Sequence, residues 1–353
     1  MAIDMKYKLV SFGLVLLVSL SSQANEWQAV KPGDTVRLPK DFFYQPGYRV
    51  QWWYFTGHLY TETGREFGYE LSLFAAGVQK SEYKSVFGVR TIYLSHIAVT
   101  DVQEKQFLHQ ERADSGSYGF SGAERMQLKV WVDGDSLSGT PRRMHLSGRA
   151  GNAEFDLMLV PEKPVVLNGQ HGYSLKSEES AEIASLYFSS TALKTTGSLR
   201  IGSTEHRVAG KSWFDRELFS EGLGKNGSGW DWFALQLDDG REIMLYHLRK
   251  KDGSVDSFSS GTVIARDGTY RHLTVTDFTI RATASYQSEH TGIRYPSSWD
   301  IEVPSELLRL TVTPLVQDQE FLAPGISGNA YWEGTCSIDG SSRGRAYAEL
   351  TGY

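Results

Sequence analysis

Apolar and polar residues alternate along most of the chain, and helical periodicity is scarce. Turn signals such as Asp133-Gly134 and Asp239-Gly240 separate the alternating runs. The pattern therefore predicts an all-β chain of hairpins. The runs that read as strands are residues 50–60, 66–75, 90–99, 127–132, 154–160, 184–189, 230–237, 242–249, 261–265, 272–281, 307–313 and 345–351.

Two pairs of segments resemble each other across the chain. Residues 52–71 and 230–248 share Trp-x-x-Phe, a strand and a turn that ends in Gly-Arg-Glu. Residues 210–218 and 344–352 share Gly-basic-small-aromatic-x-acidic, which aligns Asp215 with Glu349. Because both matches occur in the same order, we predict a duplicated domain.

The glycine-dense stretch 220–229 marks the predicted domain boundary. It separates an N-terminal domain, 25–222, from a C-terminal domain, 229–353. Each half must protect its strand edges, which closure into a barrel does and a sandwich does less completely. The opening tryptophans Trp52 and Trp230 are similar to the first-strand tryptophan of lipocalins, although neither has the full Gly-x-Trp motif. A barrel of this size has room inside for one apolar ligand. The fold that we expect, two tandem lipocalin-like antiparallel β-barrels, is what the family resemblance described below implies.

The first residues have the layout of a secretory signal peptide. Basic Lys6 and Lys8 precede an apolar run over 9–20 and a small-residue exit at Ser22-Gln23-Ala24. An uncleaved membrane anchor is the weaker alternative, because the run is shorter than the ~20 residues that span a bilayer. We expect residues 1–24 to be cleaved and the protein to be exported, periplasmic or secreted.

Composition narrows the partners and the source of stability. Cys336 is the only cysteine, so an exported chain cannot hold internal disulfides and must depend on buried apolar area. The net charge of −6 is mild, and no block of like charges is present. Nucleic acid and acidic membrane surfaces are therefore not expected as partners.

Several motifs together resemble the AttH/CrtC family of tandem lipocalin-like proteins, which includes carotenoid 1,2-hydratases. They are "QWWYFTGHL", "GYELSLF", "SWFDREL", "GWDWFALQLDDGREIMLYHLR" and the terminal "YWEG" and "GRAYAELTGY". The resemblance covers roughly residues 27–353 and is greatest to the exported AttH-like branch, often labelled "predicted secreted hydrolase". It implies two barrels and a site for a hydrophobic small molecule.

The resemblance also points to Asp215. In the hydratases an aspartate on the aromatic-x-Asp strand is thought to protonate an isolated double bond, and it aligns with Asp215. The hydratase tyrosine two residues earlier aligns with Trp213, which departs from the pattern. The upstream His-x-Trp of the hydratases has no match near residues 185–190.

The residues themselves allow two interpretations of Asp215. Burial in an apolar pocket would keep its carboxyl neutral near pH 7, and Trp213 on the same strand face could stabilise a cation. Alternatively, Arg216 could pair with Asp215 and lower its pKa, which would make the group a structural salt bridge.

Further candidate ligand-binding residues are polar or aromatic positions near these motifs: Gln51, Trp53, His58, Glu70, Tyr187 and Trp230. We expect no cofactor and no metal, because the histidines show neither His-x-His nor HExxH spacing. A serine hydrolase is also not expected, since "GFSGA" at 119–123 lacks the last glycine of a nucleophile elbow.

Two principal hypotheses of function follow. The first is a binding module for an apolar or amphipathic small molecule, accessory to an ABC transport system. The alternative is a carotenoid 1,2-hydratase-like lyase or isomerase, in which Asp215 protonates an unsaturated apolar substrate and Trp213 assists. A weaker third hypothesis is a carbohydrate-binding sandwich that presents Trp52, Trp53 and Trp230 as stacking platforms.

Overall fold

The computed structural model describes residues 27–78, 88–323, 325 and 328–353. The predicted signal peptide lies outside these ranges, so it stays a prediction. Within them, no helix has the length and apolar character needed to cross a membrane. Strands dominate, which confirms the all-β prediction.

The first part of the chain forms a curled antiparallel sheet of thirteen strands, in the order β4-β3-β2-β1-β13-β12-β9-β8-β7-β6-β5, with β10 and β11 added beside β12. Its strands are β1 (Val50–Tyr60), β2 (Glu66–Gly77), β3 (Thr91–Asp101), β4 (Gln106–Asp114), β5 (Ser121–Ala123), β6 (Leu128–Val132), β7 (Asp135–Thr140), β8 (Arg143–Ala150), β9 (Ala153–Pro161), β10 (Val166–Leu167), β11 (Tyr173–Leu175), β12 (Ala184–Ile201) and β13 (Thr204–Phe219).

The second part forms a ten-stranded antiparallel sheet in the order β17-β16-β15-β14-β23-β22-β20-β19-β18, with β21 beside β22. Its strands are β14 (Gly227–Leu237), β15 (Glu242–Lys250), β16 (Ser260–Ile264), β17 (Tyr270–Thr274), β18 (Thr279–Gln287), β19 (Arg294–Val303), β20 (Leu308–Pro314), β21 (Glu320–Ala323), β22 (Asn329–Gly340) and β23 (Gly344–Leu350).

The hairpin turns follow local chemistry. Asp133 and Gly134, between β6 and β7, have φ values of 44° and 99°, as a two-residue turn with right-handed twist requires. The run predicted as one strand over 272–281 is instead divided between β17 and β18. The division occurs because the carboxylate of Asp277 accepts the backbone N–H of Thr274 and closes a turn.

The two halves place their matched segments in the same register. Tyr54 on β1 lies opposite Asp215 on β13, and Trp232 on β14 lies opposite Glu349 on β23. The first strand of each sheet thus pairs with the last. The segment between the sheets, residues 220–226, falls within the glycine-dense stretch.

Side chains fill the concave face of each sheet. In the first sheet, Trp53, Phe55 and Leu59 of β1 belong to a large buried apolar cluster. In the second, Trp299 and the thiol-bearing Cys336 belong to another. These buried clusters occupy the interior in which we expected one apolar ligand, and that ligand stays a prediction.

The opposite faces of the two sheets pack against each other. Trp213 of the first sheet and Trp232 of the second meet edge to face, with ring centroids 6.2 Å apart. We call the side chains between the sheets the interlayer. From the first sheet they include Tyr54, Glu70, Tyr187, Trp213 and Asp215, and from the second Trp232, Tyr246, Glu333, Tyr347 and Glu349.

Gly68 on β2 sets how closely the sheets approach. A Cβ atom at this position would lie 2.7 Å from Cβ of Thr335 on β22. We therefore expect Gly68→Ala to force the sheets apart and to cost about 1–3 kcal/mol of unfolding free energy. Urea denaturation measures this loss. Gly64→Ala is the comparison variant. Gly64 lies at an open turn with positive φ, so alanine there adds backbone strain without crowding between the sheets.

Candidate functional site

Asp215 lies in the interlayer, where its carboxylate accepts three hydrogen bonds. The hydroxyl of Tyr187 donates to Oδ2 at 2.5 Å, and the indole N–H of Trp213 donates to Oδ1 at 2.7 Å. The hydroxyl of Ser189 donates to Oδ1 as well. Only 3% of Asp215 is exposed, so its environment consists of these donors and of aromatic rings.

Strand alternation separates Asp215 from Arg216. Phe214 and Leu218 face the first apolar cluster, and Arg216 lies on that face with them. Its guanidinium donates to the backbone oxygen of Asp41, not to the Asp215 carboxylate. The structure therefore excludes the Asp215–Arg216 salt bridge that the sequence left open.

Burial raises the pKa of Asp215 to about 7. The three donors oppose this shift, because they stabilise the ionised form, while the negative charge of Glu217 adds to it. The group therefore holds and releases a proton near neutral pH. A carboxyl in this state can act as a general acid or, once ionised, as a general base.

A second-sheet tryptophan orients the Asp215 donors. The indole N–H of Trp232 donates to the Tyr187 oxygen at 3.1 Å, so the hydroxyl proton of Tyr187 remains available for Asp215. Tyr54 packs edge to face on Trp232, with ring centroids 5.2 Å apart. Aromatic rings from both sheets thus surround the carboxyl.

Glu217 is the neighbouring acid on the same face of β13. Its carboxylate accepts from the ammonium of Lys176 at 2.7 Å and from the hydroxyl of Ser185 at 2.9 Å. The Lys176 ammonium also lies 4.8 Å from the ring centre of Tyr187. The cation of this region is therefore engaged with Glu217 and with aromatic rings, and it does not touch Asp215.

Three further acids lie in the interlayer beside the Asp215 site. Glu70 and Glu333 are fully buried, and burial raises the pKa of each well above its ordinary value. Glu349 is half-buried, and desolvation, together with the charges of Asp215 and Glu217, raises its pKa to about 8. The interlayer thus concentrates carboxyl groups that retain protons.

The structure does not bring every predicted site residue to Asp215. Gln51 and Trp53 lie on the opposite face of β1, where Gln51 accepts from Arg216 and Trp53 stacks under its guanidinium. Alternation directs odd-numbered residues of β1 into the first apolar cluster, so these two residues lie away from Asp215, and their role in ligand binding stays a prediction.

The other predicted residues lie in the interlayer, at different distances from the acid. Tyr187 contacts Asp215 directly, whereas His58 is hydrogen-bonded to Thr335 of the second sheet at 2.8 Å. Trp230 packs at the edge of the aromatic cluster. Trp230 and Trp52 are partly buried and Trp53 is fully buried, so none forms an exposed carbohydrate platform.

Two cavities among the described residues lie where the sheets meet. One of about 10 Å³ is lined by Trp213, His58 and Tyr347, among others, which is room for about one water molecule. The other is an open cleft of about 530 Å³ lined by charged side chains, including Lys163, Lys211 and Glu242. Within the described ranges, no group of three His, Cys, Asp or Glu side chains could hold a metal ion.

Sequence reasoning missed Ser189, Trp232 and Glu333. Ser189 lies beside Asp215 on β12, and Glu333 lies beside Glu349 on β22. The internal repeat aligns Trp232 with Tyr54, and the structure places both in the interlayer, but neither was a predicted site residue. No local motif marks Ser189 or Glu333, because only the pairing of its strand with a neighbouring strand brings each of them to the site.

The fold and the site define a two-sheet all-β protein with buried, proton-retaining carboxyl groups between its halves. Residues 29–353 match the AttH-like family, and the chain belongs to that family. An AttH of Nitrosomonas europaea has 28% sequence identity and a TM-score of 0.84, with 92% of this chain and 99% of that chain covered.

Two relatives carry names of water-adding or water-removing enzymes. Kievitone hydratase of Nectria haematococca shares the fold, with a TM-score of 0.67 at 15% identity over 92% of this chain and 95% of that one. Dehydratase asqC of Emericella nidulans is 24% identical over 232 residues, which cover 62% of each chain. The chain thus spans about three-fifths of the length of this curated relative.

Proposed function

We propose that this protein is a hydro-lyase that adds water to, or removes it from, an unsaturated apolar or amphipathic molecule, with Asp215 as the proton-transfer group. The observation that carries the proposal is the buried Asp215 carboxyl, which accepts from three neutral donors and, among the described residues, from no cation. The names of the hydratase and dehydratase relatives support the same reaction class.

In the hydration direction, the O–H bond of neutral Asp215 breaks as a C–H bond forms at one carbon of the double bond. The neighbouring carbon becomes electron-poor and accepts an electron pair from a water oxygen. That water then loses one proton, which returns to the Asp215 carboxylate and restores the acid. Dehydration is the same sequence in reverse.

The neighbours of Asp215 support each stage. Tyr187, Ser189 and Trp213 stabilise the carboxylate that remains after proton donation. The faces of Trp213 and Trp232 can stabilise positive charge on carbon. The cavity beside Trp213 holds about one water molecule and is not lined by Asp215. Because Asp215 is buried, a substrate would reach it only when the sheets move apart.

Isotope labelling tests the reaction class. Incubation of apolar alkenes, enones and tertiary alcohols in D₂O should give one carbon-bound deuterium per hydration, because the donated proton comes from exchangeable Asp215. Oxygen-labelled water should supply the new hydroxyl. Hydration products without label, or no conversion across the panel by protein freed of any bound molecule, would contradict the proposal.

A second candidate is binding without turnover, favoured by the aromatic rings that both sheets contribute to the interlayer. Export, and an accessory role in an ABC transport system, belong to this candidate as expectations from the sequence. Native mass spectrometry of the purified protein would identify an apolar molecule carried without chemical change.

A further inference from the structure

Strands β2 and β22 face each other across the interlayer. Gly68 on β2 lies against Thr335 on β22. One strand over, His96 of β3, which pairs with Ser72 of β2, is hydrogen-bonded to Tyr331 of β22 at 2.8 Å. Between these two contacts, the same strand faces carry Glu70 and Glu333. The two carboxyl groups therefore approach each other from opposite sheets.

These carboxyl groups lack other partners for most of their oxygens. Among the described residues, both oxygens of Glu70 and Oε1 of Glu333 are buried without a hydrogen-bond partner at ordinary distance. The Ser72 hydroxyl and the Glu333 carboxyl are the hydrogen-bonding side chains that act on Glu70. Oε2 of Glu333 accepts the hydroxyl of Tyr54 at 2.9 Å. Two buried carboxylates without donors would repel each other, whereas one proton between them supplies the missing hydrogen bond.

We propose that Glu70 and Glu333 share one proton, which holds the two sheets together and closes the interlayer. Loss of this proton leaves two negative charges facing each other across the sheet interface. The sheets then separate, and the Asp215 site opens. Control of access to Asp215 rests on the proposed function, but the proton-dependent contact between the sheets does not.

Other ionisable groups around the pair have partners of their own or share its tendency to retain protons. Glu66 accepts from Arg345, and Glu217 accepts from Lys176. His58 and His96 are hydrogen-bonded to second-sheet hydroxyls. Among the described residues, the further ionisable groups that interact with the pair are Tyr54, Asp135, Tyr331, Tyr347 and Glu349. Asp215 acts on Glu349.

The pH dependence has a defined sign. The closed state holds the shared proton, whereas in the open state both glutamates have ordinary pKa values near ~4.3. Opening therefore releases a proton, and its equilibrium constant rises about tenfold per pH unit above that value from this pair alone. Asp215 and Glu349 add to the slope, because burial raises their pKa values as well.

Hydrogen exchange of β2 and β22 peptides, corrected for the intrinsic rate, measures this opening between about pH 5 and pH 8. β18 and β19 serve as internal references, because neither strand pairs with β2 or β22. Glu333→Gln replaces the shared proton with a permanent amide donor. We expect it to reduce the slope of the logarithm of the opening constant against pH by about one unit, as should Glu70→Gln.

The double variant decides whether the proton is shared. Glu70→Gln/Glu333→Gln should reduce the slope by about one unit, as each single variant does. A reduction of about two units would mean separate protons and would overturn the proposal, as would unchanged slopes in all three variants. Glu320→Gln is the matched control, since Glu320 is buried within the second sheet against Tyr295 and should leave the slope unchanged. None of these measurements requires turnover.

Discussion

Asp215→Asn is expected to reduce hydratase or dehydratase turnover by about 10²- to 10⁴-fold, the usual contribution of a positioned acid or base. Asparagine keeps the size of the side chain but has no proton to exchange with carbon. Folding should survive, because the amide oxygen can still accept from Trp213 or Ser189. Rate measurements across pH, with circular dichroism of the variant, test both parts.

The same variant has a stability signature with a defined sign. Burial raises the pKa of Asp215 from an ordinary value near ~3.9 to about 7. The neutral group therefore contributes stability at low pH that is lost as pH rises from about 4 to about 7. That loss is on the order of 4 kcal/mol. In the wild type, hydration should also slow as pH rises through about 7, because Asp215 loses the proton that it donates to the substrate.

In Asp215→Asn this fall in unfolding free energy should be absent, so its stability should depend less on pH than that of wild type. Denaturation midpoints at pH 4 and pH 8 give the comparison. Glu320→Gln again serves as the control, with turnover retained. A variant with full turnover, or with the wild-type pH dependence of stability, would show that Asp215 is not the proton-retaining acid.

The second large effect is expected at Arg216. This fully buried side chain donates to the backbone oxygens of Asp41, Phe43, Trp52 and Glu217 and to Oε1 of Gln51. Its guanidinium lies 3.8 Å from the ring centre of Trp53. It thereby joins the segment before β1 to β13.

Arg216→Met should therefore cost about 3–5 kcal/mol of unfolding free energy, because it leaves several buried acceptors without donors. Arg216→Lys should recover only part of this loss, since an ammonium cannot reproduce the planar set of donors. Urea denaturation measures both. Arg309→Met is a matched control at an exposed arginine, for which little change is expected. Equal stability of all three variants would contradict the role given to Arg216.

The alternation of the sequence predicted the strands well, because half of each strand must face an apolar interior. It also placed Trp213 and Asp215 on one face. It could not tell which face meets the apolar cluster and which meets the other sheet, because "QWWYF" is largely apolar on both. For that reason the sequence could not show that Gln51 and Trp53 lie on the face of β1 that points away from Asp215.

The contact between Glu70 and Glu333 could not be predicted from local sequence patterns, for a different physical reason. Glu70 and Glu333 are far apart in the chain and belong to different sheets. Their contact depends on how two finished sheets pack, which no strand periodicity encodes. The repeat came closest, because it aligned Asp215 with Glu349 and thereby identified two acids of one type of position.

Trp232 of the second sheet donates a hydrogen bond to Tyr187 of the first sheet, and Tyr187 in turn donates to Asp215. The two halves must therefore be in contact for the Asp215 environment to be complete. Residues 220–226 link the two halves covalently, so each half is present at a high effective concentration near the other. In a protein cut there, the two halves would have to meet by diffusion, so completion of the Asp215 environment would depend on concentration, whereas in the single chain it would not.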